Sequence, residues 1–166
     1  IADFLEEVLR MEPPVKCNFR VARVALRLGD VDVAPGTTVM LLIGALNRDP
    51  RRFEQPGEFC LERRNAREHL SFGRGIHACA GAPLARAEAR ISLERMFDNS
   101  SELRIAAARH GPGGARRYEY EPTYLLRGLR ELHLEVAPPG CGTPPAASGL
   151  ALGAMKYQDA IIADAR

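Results

Sequence analysis

One short glycine-rich loop restricts this chain more than any other part of its sequence. Residues 72–81 read Phe-Gly-Arg-Gly-Ile-His-Ala-Cys-Ala-Gly, so three glycines flank a single cysteine, Cys79. Glycines allow the backbone to approach a large planar ligand and to adopt positive φ angles. An apolar pattern of helical spacing follows directly, and the start of a helix favours the anionic sulfur, which is the metal-binding form of cysteine. The loop therefore predicts a ligand site with Cys79 at its centre.

The residues of this loop leave three other interpretations open. A lone cysteine is most often a small, buried apolar side chain. The run from Gly73 to Ala78 also matches a loose dinucleotide-binding pattern, although no strong hydrophobic strand precedes it and no βαβ unit surrounds it. His77 and Cys79 could bind zinc together with Cys60, but a second ligand pair at zinc spacing is missing.

The composition is that of a globular protein. The 166 residues are 46% hydrophobic and 27% charged, and a formal net charge of +2 does not indicate nucleic-acid binding. The longest apolar run, residues 39–46, is too short to cross a bilayer, and we expect neither a membrane anchor nor a signal peptide. The four cysteines form no regular framework, which favours a reducing compartment, the cytoplasm. A first residue Ile1 in place of Met predicts a fragment.

Apolar periodicity predicts two elements near the start of the chain. Phe4, Leu5, Val8 and Leu9 have helical spacing, and the prolines at positions 13–14 end this helix. Apolar residues then alternate through residues 24–33 on both sides of the Gly-Asp pair at positions 29–30. That pattern predicts a short β-hairpin, and a further apolar stretch follows at residues 39–45.

The rest of the chain alternates between irregular and regular segments. Residues 47–71 are polar and keep no period, and a helix is expected after the glycine-rich loop. The apolar positions of that helix are Leu84, Ala87, Ile91, Leu93, Met96 and Phe97. Strand-like pieces occur near residues 103–105, 124–126 and 132–136. We predict a fold that is mainly α with small β-hairpins and sheets (α+β).

The final residues have a different composition. Residues 138–149 are rich in Pro, Gly, Ala, Ser and Thr, which is typical of a linker. Residues 150–166 place Leu150, Ala154, Tyr157 and Ile161 at helical spacing. A helix of that length is marginal on its own, and no role for this tail follows from its residues.

The loop and the helix after it resemble a known signature. The run FGRGIHACAGAPLAR, residues 72–86, is similar at every fixed position to the haem-binding signature FGxGxHxCxGxxLAR of bacterial-type, soluble cytochromes P450. The resemblance implies haem b as the cofactor and Cys79 as the axial thiolate ligand of its iron. By the same resemblance, His77 and Arg20 contact the two haem propionates, and Phe72 packs near the sulfur. Gly73 and Gly81 are further cofactor-binding candidates, and Gly81 would relieve crowding where the helix starts.

The same resemblance extends to other segments in order and spacing. Glu7 and Arg10 match an E-x-x-R pair that is buried in the family, whereas an isolated pair of this kind is usually a solvated surface bridge. Residues 47–63 are similar to the irregular segment called the meander, and residues 126–129 begin a match to the closing hairpin. The family often has arginine where this chain has Glu58, so another arginine substitutes or the meander is held more loosely.

The resemblance covers residues 1–137, and it corresponds only to the C-terminal, haem-ligating part of the family's fold. It implies a haem-thiolate monooxygenase that uses O2 to oxidise an organic substrate, with electrons from a ferredoxin or a flavoprotein. Arg86 is a candidate docking charge for that donor, and its alternative is a solvated helix charge. The other hypothesis is a haem-binding remnant without catalysis, or an unstable truncated product, and this fragment alone is expected to be inactive.

Overall fold

The computed structural model describes residues 1–139 of the chain. The predicted linker at 138–149, apart from its first two residues, and the tail at 150–166 therefore lie outside the described residues. The chain divides into two compact units. The first unit comprises residues 1–87 and 121–128, and the described part of the second comprises residues 88–120 and 129–139.

The first unit carries most of the regular elements. In chain order they are α1 (Ala2–Met11), β1 (Cys17–Val21), β2 (Leu26–Leu28), β3 (Val31–Val33), β4 (Thr38–Leu42), α2 (Ile43–Leu46) and two 3₁₀ turns (Ala66–Glu68 and Gly75–His77). Helix α3 (Ala82–Asp98) begins in this unit and continues into the second. The second unit adds β5 (Glu102–Ile105), α4 (Ala107–His110) and β6 (Leu134–Ala137). The predicted class, mainly α with small sheets, is confirmed.

The two hairpins of the first unit differ in how clearly the sequence predicts them. Strands β2 and β3 pair antiparallel around Gly29, whose φ of 58° suits glycine, so the predicted hairpin is confirmed. Strand β1 pairs antiparallel with β4, with Cys17 opposite Leu42. Residues 17–21 carry no clear alternation, so the sequence did not predict β1. Its pairing with β4 provides the hydrogen bonds that make it a strand.

In the second unit, β5 and β6 form an antiparallel pair, which confirms the strand-like pieces predicted near residues 103–105 and 132–136. The prediction near residues 124–126 is wrong, because that segment makes only an isolated bridge, between Val15 and Leu126 in the first unit.

His110, at the end of α4, is buried. Its Nε2 accepts the amide proton of His133 at 2.9 Å, so the ring binds the residue that directly precedes β6.

Helix α1 forms where predicted, but its most buried positions are charged. Glu6, Glu7 and Arg10 are buried, whereas Phe4 and the other apolar residues of the predicted stripe are only half-buried. Charged side chains are almost never fully buried unless they are paired. The first unit is therefore organised around polar side chains as well as an apolar core.

Arg10 makes hydrogen bonds with all three nitrogens of its guanidinium. Its Nε and Nη2 donate to the two carboxylate oxygens of Glu7, at 2.8 and 2.7 Å. Its remaining protons reach the carbonyls of Asn47 at 2.9 Å, Pro56 at 2.8 Å and Glu58 at 2.9 Å. A fully satisfied buried arginine of this kind fixes the irregular segment 47–71 by binding three of its carbonyls.

Arg63 provides the arginine that the sequence lacks at position 58. Its Nε lies 3.0 Å from Glu7 Oε1, and its side chain is only 6% exposed. Its two other nitrogens donate to the carbonyls of Glu54, Gln55 and Glu58. Of the two outcomes expected for the departure at Glu58, substitution by another arginine is therefore the one observed.

Arg63→Gln is expected to destabilise the chain by about 2–3 kcal/mol, because Glu7 would lose one of its two buried ionic partners. Arg51→Gln is the matched control, since Arg51 pairs with Asp49 at the surface with its side chain 89% exposed, and it should leave the stability nearly unchanged because solvent screens the pair. Urea unfolding of both variants measures the difference. Equal losses would contradict a buried role for Arg63.

Candidate functional site

The glycine-rich loop is held by its backbone. Gly73 and Gly75 have φ of 69° and 78°, in the region that other residues rarely adopt, which confirms the positive φ angles expected of these glycines. The Cys79 amide donates to the Phe72 carbonyl at 2.8 Å, which closes the loop, and α3 begins at Ala82. The loop thus leads directly into the start of a helix, as predicted.

The loop presents its side chains to solvent. Residues 73–81 are all exposed, including Cys79 and His77, and Ile76 is 97% exposed. The interpretation of Cys79 as a small buried apolar side chain is therefore wrong. The loop therefore exposes both a sulfur atom and a large apolar side chain.

Gly81 faces the sulfur of Cys79. A Cβ atom added at Gly81 would lie 3.8 Å from Cys79 Sγ, which is an ordinary van der Waals distance. The chain itself would therefore tolerate a small side chain at this position. A need for glycine would have to come from a ligand bound against the sulfur.

Phe72 is fixed from two sides at the start of the loop. The guanidinium carbon of Arg86 lies 4.6 Å from the centre of the Phe72 ring, a distance typical of a cation–π contact. The His69 ring lies 6.0 Å away on a tilted plane. These contacts hold the residue whose carbonyl accepts the Cys79 amide proton.

Arg86 forms an intrachain ion pair. Its Nε and Nη2 donate to the two carboxylate oxygens of Glu6, at 2.6 and 3.0 Å. Its pKa is raised, first by these hydrogen bonds. The alternative of a freely solvated helix charge is wrong, because a buried carboxylate pairs with Arg86 and its side chain is only 33% exposed. Its role as a candidate docking charge for an electron donor stays a prediction.

Glu6 also binds His69. Glu6 Oε2 lies 3.1 Å from His69 Nε2, and the Ser71 amide donates to His69 Nδ1 at 3.1 Å. His69 must therefore be neutral and carry its proton on Nε2, so Nε2 donates to Glu6. Burial lowers the pKa of His69, against the raising influence of Glu6. Burial opposes ionisation of Glu6, but Arg86 and His69 outweigh it and hold the pKa of Glu6 below its usual value.

Asn47 helps to hold the two residues that precede Phe72. Its side-chain oxygen accepts the Leu70 amide proton at 2.7 Å, and its amide nitrogen donates to Ser71 Oγ at 3.0 Å. Ser71 Oγ in turn donates to the Leu9 carbonyl at 2.6 Å. The two residues before Phe72 are thereby fixed to helix α1.

Arg20 and His77, the two residues predicted to contact the haem propionates, lie apart from the contacts described above. Arg20 lies on β1, is exposed and donates to the Phe19 carbonyl at 2.8 Å. Throughout residues 1–139, no hydrogen bond or ion pair joins Arg20 or the His77 side chain to Cys79. The chain thus places two exposed basic residues outside the loop's internal network.

The described residues do not support the zinc and dinucleotide interpretations of the loop. No group of three His, Cys, Asp or Glu side chains in residues 1–139 is placed to hold a metal ion, so zinc binding by Cys60, His77 and Cys79 has no support there. A 3₁₀ turn, and no strand, precedes the loop, and each sheet of the described part is an antiparallel pair. A dinucleotide-binding βαβ unit is therefore absent from the described residues.

Sequence reasoning missed Glu6 and His69. Both have a weak signal: Glu6 is the first of two consecutive acidic residues within an apolar helix, and His69 lies in the polar segment before the loop. Neither signal says which partner each residue meets, because the partners are distant in sequence.

The fold and the loop together define a class of protein in which an exposed cysteine lies on a glycine-rich loop directly ahead of a helix. Residues 2–101 match the family model for cytochrome P450, which is more than half of the chain. The chain belongs to the cytochrome P450 family. The family expected from the loop signature is thereby confirmed.

Individual relatives support this assignment. The chain is 42% identical over 133 residues to cytochrome P450 144 of Mycobacterium tuberculosis, covering 80% of this chain and 29% of that protein. It is similar to the substrate-free structure of Mycobacterium marinum cytochrome P450 CYP150A6, with 56% identity and a TM-score of 0.81 over 84% of this chain and 34% of that one. The testosterone complex of CYP109E1 from Bacillus megaterium matches with 31% identity and a TM-score of 0.72, covering 83% and 36%.

These matches also set the extent of the similarity. The chain spans about a third of the length of the relatives it matches. Among residues 1–139, no helix combines the length and apolar character needed to cross a membrane.

The stability of the chain should fall as pH drops below about 6.5, the ordinary pKa of histidine. His69 is neutral in the fold, and its pKa there is lower than in the unfolded chain. As the pH falls, the unfolded chain therefore binds a proton before the folded chain does, and the free energy of unfolding decreases until the pH reaches the lowered pKa. His69→Gln keeps a donor toward Glu6 and does not titrate. Urea unfolding at pH 5 to 7.5 should show a flatter pH dependence in this variant than in the wild type, and parallel curves would contradict the assignment.

Proposed function

We propose that this chain is the haem-ligating part of a haem-thiolate monooxygenase, in which Cys79 binds the iron of haem b. The complete protein would insert one oxygen atom from O2 into an organic substrate, with electrons from a ferredoxin or a flavoprotein. The observation that carries this proposal is the exposed Cys79 on a backbone-ordered loop ahead of α3, within a family-specific signature.

The residues around Cys79 fit a large planar ligand. The sulfur and Ile76 are exposed on the same loop, and Gly81 leaves space beside the sulfur where a Cβ would otherwise lie. Burial of an isoleucine side chain against an apolar ligand stabilises the complex by about 1.5–3 kcal/mol. Cys79, Ile76 and Gly81 therefore supply a ligand atom, an apolar contact and clearance on one surface.

Two further roles follow for basic residues. His77 and Arg20 are exposed and make no ion pair within residues 1–139, so both remain available to the haem propionates. Phe72 would pack near the sulfur, and Gly73 would allow close approach of the backbone. Glu7 and Arg10 support the fold and take no part in the chemistry.

The bound haem supplies the oxygen chemistry, and a thiolate ligand donates electron density that favours cleavage of the O–O bond. What this chain contributes is the ligand itself and a fixed position for it. Because the chain spans about a third of its relatives, we assign proton delivery and substrate binding to segments outside it. Residues 1–137 would form the haem-ligating part, 138–149 a linker and 150–166 a tail, in a protein of the cytoplasm.

The purified chain mixed with haem, reduced and exposed to carbon monoxide, should show a strongly red-shifted Soret band. Cys79→Ala should abolish this band, since the thiolate is its cause. Cys60→Ala is the matched control, because Cys60 is also exposed but lies outside the loop, and it should keep the band.

Retention of the band in Cys79→Ala, or its equal loss in Cys60→Ala, would contradict the assignment of Cys79 as the ligand. Haem uptake only when the chain is produced with the remaining two thirds of a P450 would identify it as part of a larger functional unit. If the chain takes up haem together with the remaining two thirds of a P450 but oxidises no substrate, the hypothesis of a non-catalytic remnant is favoured.

Removal of one propionate partner should weaken haem binding by about 5- to 30-fold, since each charged hydrogen bond is worth about 1–2 kcal/mol. The variants are His77→Gln and Arg20→Gln, and haem titration followed by absorbance measures the dissociation constant. Arg27→Gln is the control, because Arg27 is an exposed arginine on the β2–β3 hairpin. Equal effects of all three substitutions would contradict the propionate roles.

A further inference from the structure

A second buried carboxylate in helix α1, next to the Glu7 pair, has no part in the function proposed above. The side chain of Glu6 is 4% exposed and faces three basic residues, Arg86 at 2.6 Å, His69 at 3.1 Å and Arg67 at 3.8 Å. Glu7, the adjacent carboxylate, binds Arg10, Arg63 and the Cys60 amide instead. The two carboxylates therefore serve different parts of the chain.

Glu6 joins the two ends of the cysteine loop. His69 lies three residues before the loop begins at Phe72, and Arg86 lies in the first turns of α3, after the loop ends at Gly81. Both side chains bind the same carboxylate group, and one of its oxygens, Oε2, accepts from both. The loop is thereby closed at its base by a single side chain of another element.

The loop has little else to fix its shape. All residues from 73 to 81 are exposed, so buried apolar contacts do not restrain them. The bond from the Cys79 amide to the Phe72 carbonyl crosses the loop, and Phe72 is held between Arg86 and His69. The position of Cys79 thus depends on Phe72, and that of Phe72 on the Glu6 cluster.

We propose that Glu6, His69 and Arg86 form a positioning triad that holds the cysteine loop in its ligand-binding shape by tying both ends of the loop to helix α1. The importance of that shape for iron binding rests on the function proposed for Cys79. The triad itself is a property of the chain and can be tested without haem.

Residue-resolved amide hydrogen exchange, followed by NMR on the full chain, compares Glu6→Gln with Glu7→Gln. Glu6→Gln should speed exchange at the Ser71 and Cys79 amides by about 10- to 100-fold, because a charge-assisted buried bond of the loop base is lost. It should leave the Cys60 amide, which donates to Glu7 Oε1, nearly unchanged. Glu7→Gln should produce the opposite pattern, with faster exchange at Cys60.

Arg86→Lys is the second variant, since lysine keeps the charge but lacks the two-pronged contact with Glu6 and the planar contact with Phe72. It should speed exchange at Cys79 by a smaller factor than Glu6→Gln does. If hydrogen exchange became equally faster at all protected amides in Glu6→Gln and Arg86→Lys, or if both variants unfolded, the proposal would be overturned. Glu6 would then stabilise the whole fold and not the loop in particular.

In haem-loaded protein, Glu6→Gln should lower the fraction of the carbon monoxide complex that shows the red-shifted Soret band, and Glu7→Gln should lower it less. If Cys79 does not bind iron, this band is absent from the wild type too, whereas the exchange pattern still tests the triad. An unchanged exchange rate at Cys79 in Glu6→Gln, with the band present in the wild type, would overturn the triad and leave the haem assignment intact.

Discussion

The buried pair of Glu7 and Arg10 is the interaction on which the first unit depends. Both side chains are completely buried, and together they satisfy three carbonyls of the irregular segment 47–71 and one of its amides. That segment has almost no secondary structure, so these charges replace the hydrogen bonds that a helix or a sheet would provide. Removal of Glu7 would leave Arg10 as a buried charge without its carboxylate, which costs about 3–5 kcal/mol. The irregular backbone therefore depends on this pair.

The same helix uses its neighbouring carboxylate to reach the functional loop. Consecutive helical residues point about 100° apart, so Glu6 and Glu7 face different neighbours. Glu7 meets the irregular segment, and Glu6 meets His69 and Arg86 at the base of the cysteine loop. One turn of α1 thus connects the support of the fold with the position of Cys79. An exposed loop can be held rigidly in this way although it has no core of its own.

Apolar side chains remain exposed over much of the described chain. Large ones include Val24, Val31, Leu84, Tyr124 and Ile76, each more than 60% exposed. Its relatives are about three times longer, and a chain that matches only a third of such a protein is expected to leave contact surface open. The supporting polar clusters, by contrast, are complete within residues 1–87. The contacts that support the cysteine loop therefore lie within residues 1–87, whereas the exposed apolar side chains stay uncovered in the described residues.

The sequence by itself determined the family, the cysteine loop, helices α1 and α3 and the β2–β3 hairpin, because each depends on a local pattern of glycines, apolar spacing or turn residues. It also indicated that Glu58 breaks the usual pattern of the irregular segment. Only the tertiary structure showed that Arg63 takes that role and that Glu6 binds both His69 and Arg86. These contacts join residues 56 to 80 positions apart, and no local periodicity encodes which buried charge meets which partner.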